Sequence, residues 1–443
     1  MHKLTEGNIT KQLLQLALPL VIGNFLQQLY NTIDAWVVGR YISQDAFAAI
    51  GIGGTVMNLF IFVLVGACAG VGIIWAQLYG KGDLAAFRRE GFQALAAGSC
   101  FTLLLSLAAF AATEEMLRLI ATPDSILHMV KEYLQIIFAG LIMTFLYNYY
   151  STMLRAVGNT LMALVFLAVA LAVNLVLALL FVAHWQWGIS GAAWATVLAQ
   201  LSSVLLCNVY MRLCQPQLLW SRQDMHIDRQ LLKQTCNFAV ATAMHNSNLY
   251  IGKLLVQGAV NSCGVDMVAA YTAAGRLEGF ANSFGDSGGA AMNVFIGQNV
   301  GAGNWRRVRQ GFAAGFKLLL GLGVVYSTAL YVGADAGVAF MLGGSDLPGW
   351  AQGVHYMQIV ALFYFLCFMG NALAGYFEGR GLLMIPVIGA TGHITLRVIL
   401  SYLFAGEYGL GAVAYATGFG WFCVVCFWSY LAWKNVQRLH KQV

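Results

Sequence analysis

Gln77-Leu78-Tyr79-Gly80-Lys81-Gly82-Asp83 returns 221 positions later as Gln298-Asn299-Val300-Gly301-Ala302-Gly303-Asn304. Each copy follows a long apolar run and precedes a basic cluster, Arg88-Arg89 in the first and Arg306-Arg307 in the second. A second pair keeps the offset: Gly188-Ile189-Ser190-Gly191-Ala192-Ala193-Trp194-Ala195-Thr196 against Gly409-Leu410-Gly411-Ala412-Val413-Ala414-Tyr415-Ala416-Thr417. A third, Tyr133-Leu134-Gln135-Ile136 against Tyr356-Met357-Gln358-Ile359, is displaced by 223. Three matches in the same order across half a chain of 443 residues mark an internal duplication.

The apolar runs say where the duplicated unit lives. The chain is 60% hydrophobic and 9% charged with a mean hydropathy of +0.71, against about a quarter charged residues in soluble domains. Twelve spans long enough to cross a hydrocarbon core of about 30 Å lie near 13–38, 47–78, 92–112, 128–150, 160–182, 188–212, 235–257, 266–299, 312–334, 352–374, 384–404 and 409–433. The second and eighth are long, as expected of spans that are tilted or broken at glycine. With a cytoplasmic N-terminus, 17 of the 24 Lys and Arg residues fall inside and three, Arg40, Arg118 and Lys131, outside; Lys253, Arg276, Lys317 and Arg397 lie within spans. This asymmetry predicts a multi-pass protein of the bacterial inner membrane with both termini in the cytoplasm. The net charge of +6 is then matched by lipid headgroups, with no nucleic-acid partner implied.

The predicted fold class is all-α: twelve transmembrane helices in two pseudo-symmetric six-helix lobes around a central cleft. The N-terminal lobe is 1–212, a cytoplasmic linker is 213–234 and the C-terminal lobe is 235–443. Six spans per half is an even number, so both copies enter the membrane in the same sense, and a pseudo-two-fold axis along the membrane normal relates them. Such duplications are typical of transporters. The first apolar run is too long for a cleavable signal peptide and lacks a small-residue cleavage site. The nine cysteines sit in or beside apolar spans and read as small core residues; Cys423-x-x-Cys426 has no His or acid neighbours and reads as packing. No HExxH or paired intramembrane Asp motif occurs, so no enzyme, no metal and no cofactor are expected. The repeated Gln-x-x-Gly-x-Gly lacks a preceding strand and a Lys-Ser/Thr ending, and reads as a turn or hinge; a phosphate cradle is the alternative. Gly66/Gly70 and Gly285/Gly289, at i, i+4 spacing, suit close helix packing in lipid.

The paired motif, the twelve spans and the early Tyr30-Asn31-Thr32-Ile33-Asp34 together resemble the multidrug and toxic compound extrusion (MATE) family. The resemblance covers nearly the whole chain, and its most family-like stretch is Phe295-Ile296-Gly297-Gln298-Asn299-Val300-Gly301-Ala302-Gly303-Asn304. It implies an antiporter that exports small organic cations in exchange for protons or sodium ions, working as a monomer among membrane lipids. By the same resemblance, Asp34, Asn174 and Thr196 occupy positions of a cation site in the N-terminal lobe of one branch. That branch usually carries a second Asp four residues after the Asn, where this chain has Ala178. The loss of one ligand and one charge favours a proton over sodium as the coupling ion.

Ionisable groups inside spans are costly and mark function by default. Asp34 lies late in the first span among Leu29, Ile33, Ala35, Trp36 and Val37, where burial favours proton exchange near neutral pH; pairing with Arg40 at the outer interface is the alternative. The C-terminal half adds Lys253, Arg276, Glu278, Asp286, Glu378, His393 and Arg397, with His245 as a further titratable group, a set that fits either a structural charge network or a substrate site. Members of another branch carry coupling acids in the seventh and tenth helices, where this chain has His245-Asn246 and Cys367. Tyr30 is a candidate for holding a flat cation against its ring. The rival reading is a flippase or exporter of a lipid-linked or polyprenyl-linked metabolite of related architecture; it requires a large basic cleft, whereas the intramembrane charges are mixed.

Overall fold

The computed structural model describes residues 4–120 and 122–440, apart from the side chains of 30–36, 44, 436 and 438–440. These residues form α1 (Ile9–Tyr41), α2 (Gln44–Lys81), α3 (Leu84–Ala111), α4 (Thr113–Leu119), α5 (Asp124–Ala139), α6 (Leu141–Ala156), α7 (Thr160–Ala178), α8 (Gly188–Cys214), α9 (Arg229–Asn261), α10 (Val265–Gly301), α11 (Trp305–Val332), α12 (Ala334–Leu342), α13 (Trp350–Gly379) and α14 (Met384–His440). Eight of the described helices are long and apolar enough to cross a membrane, and nine if the bent pair α5–α6 is one span. α14 counts once there although Gly409, at φ 57° and ψ −143°, divides it into two helices. α9 and α10 have the length, at 33 and 37 residues, but carry Lys253, Arg276, Glu278 and Asp286. Twelve long helical segments result.

The duplicated motif is a helix stop followed by a helix start, with the same hydrogen bonds in both copies. Gly82 and Gly303 take φ of +79° and +69°, a region open to glycine because it has no Cβ. The Asp83 N–H donates to Leu78 O and that of Asn304 to Asn299 O, at 3.1 and 2.9 Å. Asp83 then accepts from the Ala86 N–H and Asn304 from the Arg307 N–H, capping α3 and α11. Gly158 and Gly381 (+84° and +76°) and Gly188 and Gly409 (+61° and +57°) repeat the correspondence. The motif is therefore a turn.

Three predicted spans take the following forms. α2 and α10 are continuous, with no break at glycine, over 38 and 37 residues. The span expected at 128–150 is instead bent by 47° between α5 and α6. The bend falls at Gly140, whose α-carbon faces Val197 with no room for a Cβ.

The chain divides into two compact units, one of Ile22–Ala243 with Met1–His2, the other of Lys3–Val21 with Met244–Val443. α3 shows how the first is built: it buries Gly91, Gln93, Ala94, Thr102 and Ser106 and leaves Leu103, Leu104 and Leu107 at least half exposed. Apart from Phe87, which is fully buried, small and polar residues face inward and large apolar ones outward, as suits helices in lipid. Gly66 and Gly70 of α2 lie against the backbone of Phe238–Ala243 in α9. The linker is bound to the same unit: Arg88 Nε donates to Asp224 Oδ2 at 3.1 Å, and Gln93 Nε2 to the His226 and Asp228 carbonyls, both at 3.4 Å. In the second unit Arg307 donates to the carbonyls of Leu4, Glu6 and Gly7 and to Gln12 Oε1, fixing the segment before α1. There α10 meets α13 where Gly375 abuts the Gly289 carbonyl.

Two predictions follow from this packing. Gly375→Ala places a Cβ on the Gly289 oxygen and should cost about 1–3 kcal/mol, read as a lower thermal midpoint in detergent. Gly51→Ala, with nothing within 4 Å of its Cβ, is the control and should hold or raise the midpoint. In the linker, burial pushes the Asp224 carboxyl up, but the Ser221 N–H and hydroxyl and the Arg88 guanidinium outweigh it and hold the group below its ordinary value. A depressed carboxyl stabilises above its unfolded pKa and loses that contribution as pH falls through the folded one. Protease resistance of residues 215–228 should accordingly fall in acid below about pH 4. Asp224→Asn should be sensitive already at neutral pH.

Candidate functional site

In the first unit α7 and α8 run side by side and bring Asn174 to Thr196. Asn174 Nδ2 donates to Thr196 Oγ1 at 3.2 Å, and Thr196 Oγ1 lies 3.2 Å from the Ala192 carbonyl one turn earlier. Asn174 is 3% exposed, yet its Oδ1 has no hydrogen-bond partner among the described residues. A buried acceptor left unsatisfied costs free energy unless something binds it. Ala178, one turn beyond Asn174, is buried and offers only a methyl group. Asp34 and Tyr30 belong to α1, and their side chains lie outside the described residues.

The second unit assembles a different set. Tyr356, fully buried on α13, donates to Glu278 Oε1 of α10 at 2.9 Å. Tyr364, two turns along α13, has its hydroxyl 3.0 Å from the Glu278 carbonyl and 2.7 Å from Asn282 Oδ1. Arg397 of α14 donates to the Tyr271 hydroxyl at 3.3 Å, and the Tyr271 ring meets that of Tyr356 edge to face at 5.5 Å. Arg397 and Glu278 are thus joined through two tyrosines, with no direct ion pair. The ion pairs among the described residues, such as Lys131–Glu114, all lie in the first unit. Asp286 is exposed, hydrogen-bonds the Asn371 side chain and has Lys253 as its neighbouring charge. Cys367 Sγ reaches Asn282 Oδ1 at 3.7 Å, inside this cluster. His245 stands apart beside the Pro386 carbonyl, with Nδ1 unpartnered. Arg276 is exposed and takes no part in the tyrosine chain.

Sequence reasoning passed over Tyr356 and Tyr364. Tyr356 had a signal, since it opens the third repeat match opposite Tyr133; Tyr364, Asn282 and Asn371 had none. Glu378, one of the intramembrane charges expected from the sequence, accepts from Asn293 Nδ2 at 2.9 Å. Among the described residues no three His, Cys, Asp or Glu side chains converge as a metal centre would require. The cluster can hold a charge of either sign, because phenolic hydroxyls both donate and accept. Tyr356→Phe removes a donor from Glu278 and should lower stability by about 1–3 kcal/mol, measured by unfolding in detergent.

Comparison with known proteins places this geometry. The family model described as MatE matches residues 19–180 and 241–403, one stretch in each repeat. The chain is 27% identical over 445 residues to the probable multidrug resistance protein YpnP of Bacillus subtilis, covering 98% of both chains. It is 26% identical over 401 residues to the probable multidrug resistance protein YoeA of the same organism, covering 87% of this chain and 85% of that one. Its fold superimposes on an outward-facing multidrug resistance MATE family transporter of the MOP superfamily with a TM-score of 0.92. That match spans 99% of this chain and 98% of the other, at 18% identity. With both repeats matched by one family model, the chain belongs to the MATE family of multi-pass membrane transporters.

Proposed function

We propose that this protein is a proton-coupled antiporter that exports small organic cations across the bacterial inner membrane by alternating access. Membership of the family across both repeats carries the reading, and the names of its relatives as multidrug resistance proteins support the substrate class. Asp34 takes the proton. Asn174 and Thr196 supply neutral oxygens near it on the family's pattern, and Ala178 supplies none. Two uncharged oxygens and one carboxylate are few ligands for a hard cation that takes six or more, and sufficient for a proton. Protonation of Asp34 removes the negative charge that a cationic substrate would share, so proton binding and substrate binding oppose each other at one site. In the second unit Glu278 and Asp286 attract the cation, while Arg397 and the tyrosines set the orientation of Glu278. The acting unit is the monomer, with both termini in the cytoplasm.

The test is export of an organic-cation dye from proteoliposomes under imposed proton and sodium gradients, separately. Wild type should export under the proton gradient, and Asp34→Asn should lose export while inserting normally. Export by the mutant at the wild-type rate overturns the assignment to Asp34, and export driven by sodium alone overturns proton coupling. No export under either gradient moves the assignment to a lipid-linked cargo.

A further inference from the structure

Glu90 has no counterpart in the pattern that suggested the site, and its surroundings are unlike those of every other acid in the linker region. It follows Arg88 and Arg89, but both guanidinium groups are engaged elsewhere, with Asp224 at 3.1 Å and Asp228 at 4.0 Å. Glu90 itself is 0% exposed and has no ion-pair partner among the described residues. Both its carboxyl oxygens lie 2.9 Å from Thr235 Oγ1, near the start of α9, and that Oγ1 also lies 2.8 Å from the Leu231 carbonyl.

Three oxygens therefore surround a hydroxyl that has one proton. If Thr235 gives it to Leu231, an ionised Glu90 faces the hydroxyl oxygen at 2.9 Å with no hydrogen between them. If Thr235 gives it to Glu90, a buried negative charge is met by one neutral donor, where carboxylates held ionised by hydrogen bonds accept about two or three. A neutral carboxylic acid satisfies the geometry: Glu90 donates to Thr235 Oγ1 and Thr235 donates to Leu231 O. The neighbours supply no compensating charge. From α6 comes Tyr149, whose hydroxyl is committed to the Gly91 carbonyl at 2.8 Å, with Cys68 of α2 beyond it. On α9, Arg229 and Lys233 are exposed, and in the linker His226 is exposed while Asp224 holds Arg88.

We propose that Glu90 is a proton-binding site whose occupancy fastens the first turns of α9 to the first unit. The protonated acid completes the chain Glu90–Thr235–Leu231. Loss of the proton to water at the linker end leaves a buried carboxylate with no cation, and the contact opens to hydrate it. Gln93, one turn along α3, grips the His226 and Asp228 carbonyls, so release of Thr235 frees a stretch that leads into α9. The site is separate from Asp34, and its titration is read without any transport measurement.

Hydrogen exchange of the amides of 229–243, in the full-length protein in lipid nanodiscs, tests this. After correction for the intrinsic pH dependence of exchange, wild-type protection should be constant in acid. Above an apparent pKa it should fall about tenfold per pH unit, as release of one proton dictates. Glu90→Gln, whose amide can donate as the neutral acid does, should keep protection constant over the same range. Infrared difference spectra of wild type should lose one carboxylic-acid carbonyl band over the same transition, absent from Glu90→Gln. Protection in wild type that is invariant with pH, or the same pH profile in Glu90→Gln, overturns the proposal. Should the variant fail to fold, the wild-type profile with its infrared band decides alone.

Discussion

Backbone contact between helices at glycine sustains each unit, because lipid tails are as apolar as leucine and burying leucine inside gains little. Gly66 and Gly70 against Phe238–Ala243, and Gly375 against Gly289, let main chains approach to a distance no side chain would allow. Dispersion contacts then accumulate along the helices. The same constraint explains why α3 turns Leu103, Leu104 and Leu107 outward and keeps threonine, serine and glutamine inside. The interior mixes such small and polar residues with buried rings such as Trp75, Phe138 and Phe368, and buried acids and hydroxyls are accommodated among them. The sites of this protein are by-products of how its helices must pack.

The duplication preserves geometry and discards chemistry. Stops at Gly82 and Gly303, at Gly158 and Gly381, and at Gly188 and Gly409 keep the same left-handed backbone. The short helices α4 and α12 follow α3 and α11 in the same places. At matched positions, however, Asn174 stands opposite Arg397, and Arg155 opposite Glu378. One unit holds its candidate site with an amide and a hydroxyl, the other with tyrosines between an acid and a guanidinium. Turns are constrained by backbone sterics that tolerate only glycine, whereas a buried polar residue needs only some partner, which a second copy can supply differently.

What the sequence disclosed follows this division. The repeated Gln-x-x-Gly-x-Gly and the apolar spans were legible, because each depends on local composition or on a pattern written twice; Asn174 and Thr196 were singled out only through the family resemblance. The bend at Gly140 was not: the residue packed against that glycine, Val197 of α8, is distant in the chain. Nor was the tyrosine chain, because Tyr356 and Tyr364 look like ordinary aromatic residues until Glu278 and Asn282 are placed beside them. Glu90 reads as part of a solvated Arg-Arg-Glu run. Only the arrival of α9, 145 residues later, buries it.

Glu278 and Glu90 share one principle. Each is a carboxyl met by hydroxyl groups, Glu90 fully buried and Glu278 half-buried, and none of the described cations lies within salt-bridge distance of either. An arginine at contact distance would lock either acid in its charged form, since breaking such a pair in a dry interior is strongly unfavourable. A hydroxyl does not, because it can accept from a carboxylic acid as well as donate to a carboxylate. Hydroxyl partners therefore let the acid keep its proton, where an ion pair would hold it off, and losing that proton has a structural consequence. In the proposed proton-coupled cycle, partners of this kind are what the acids require.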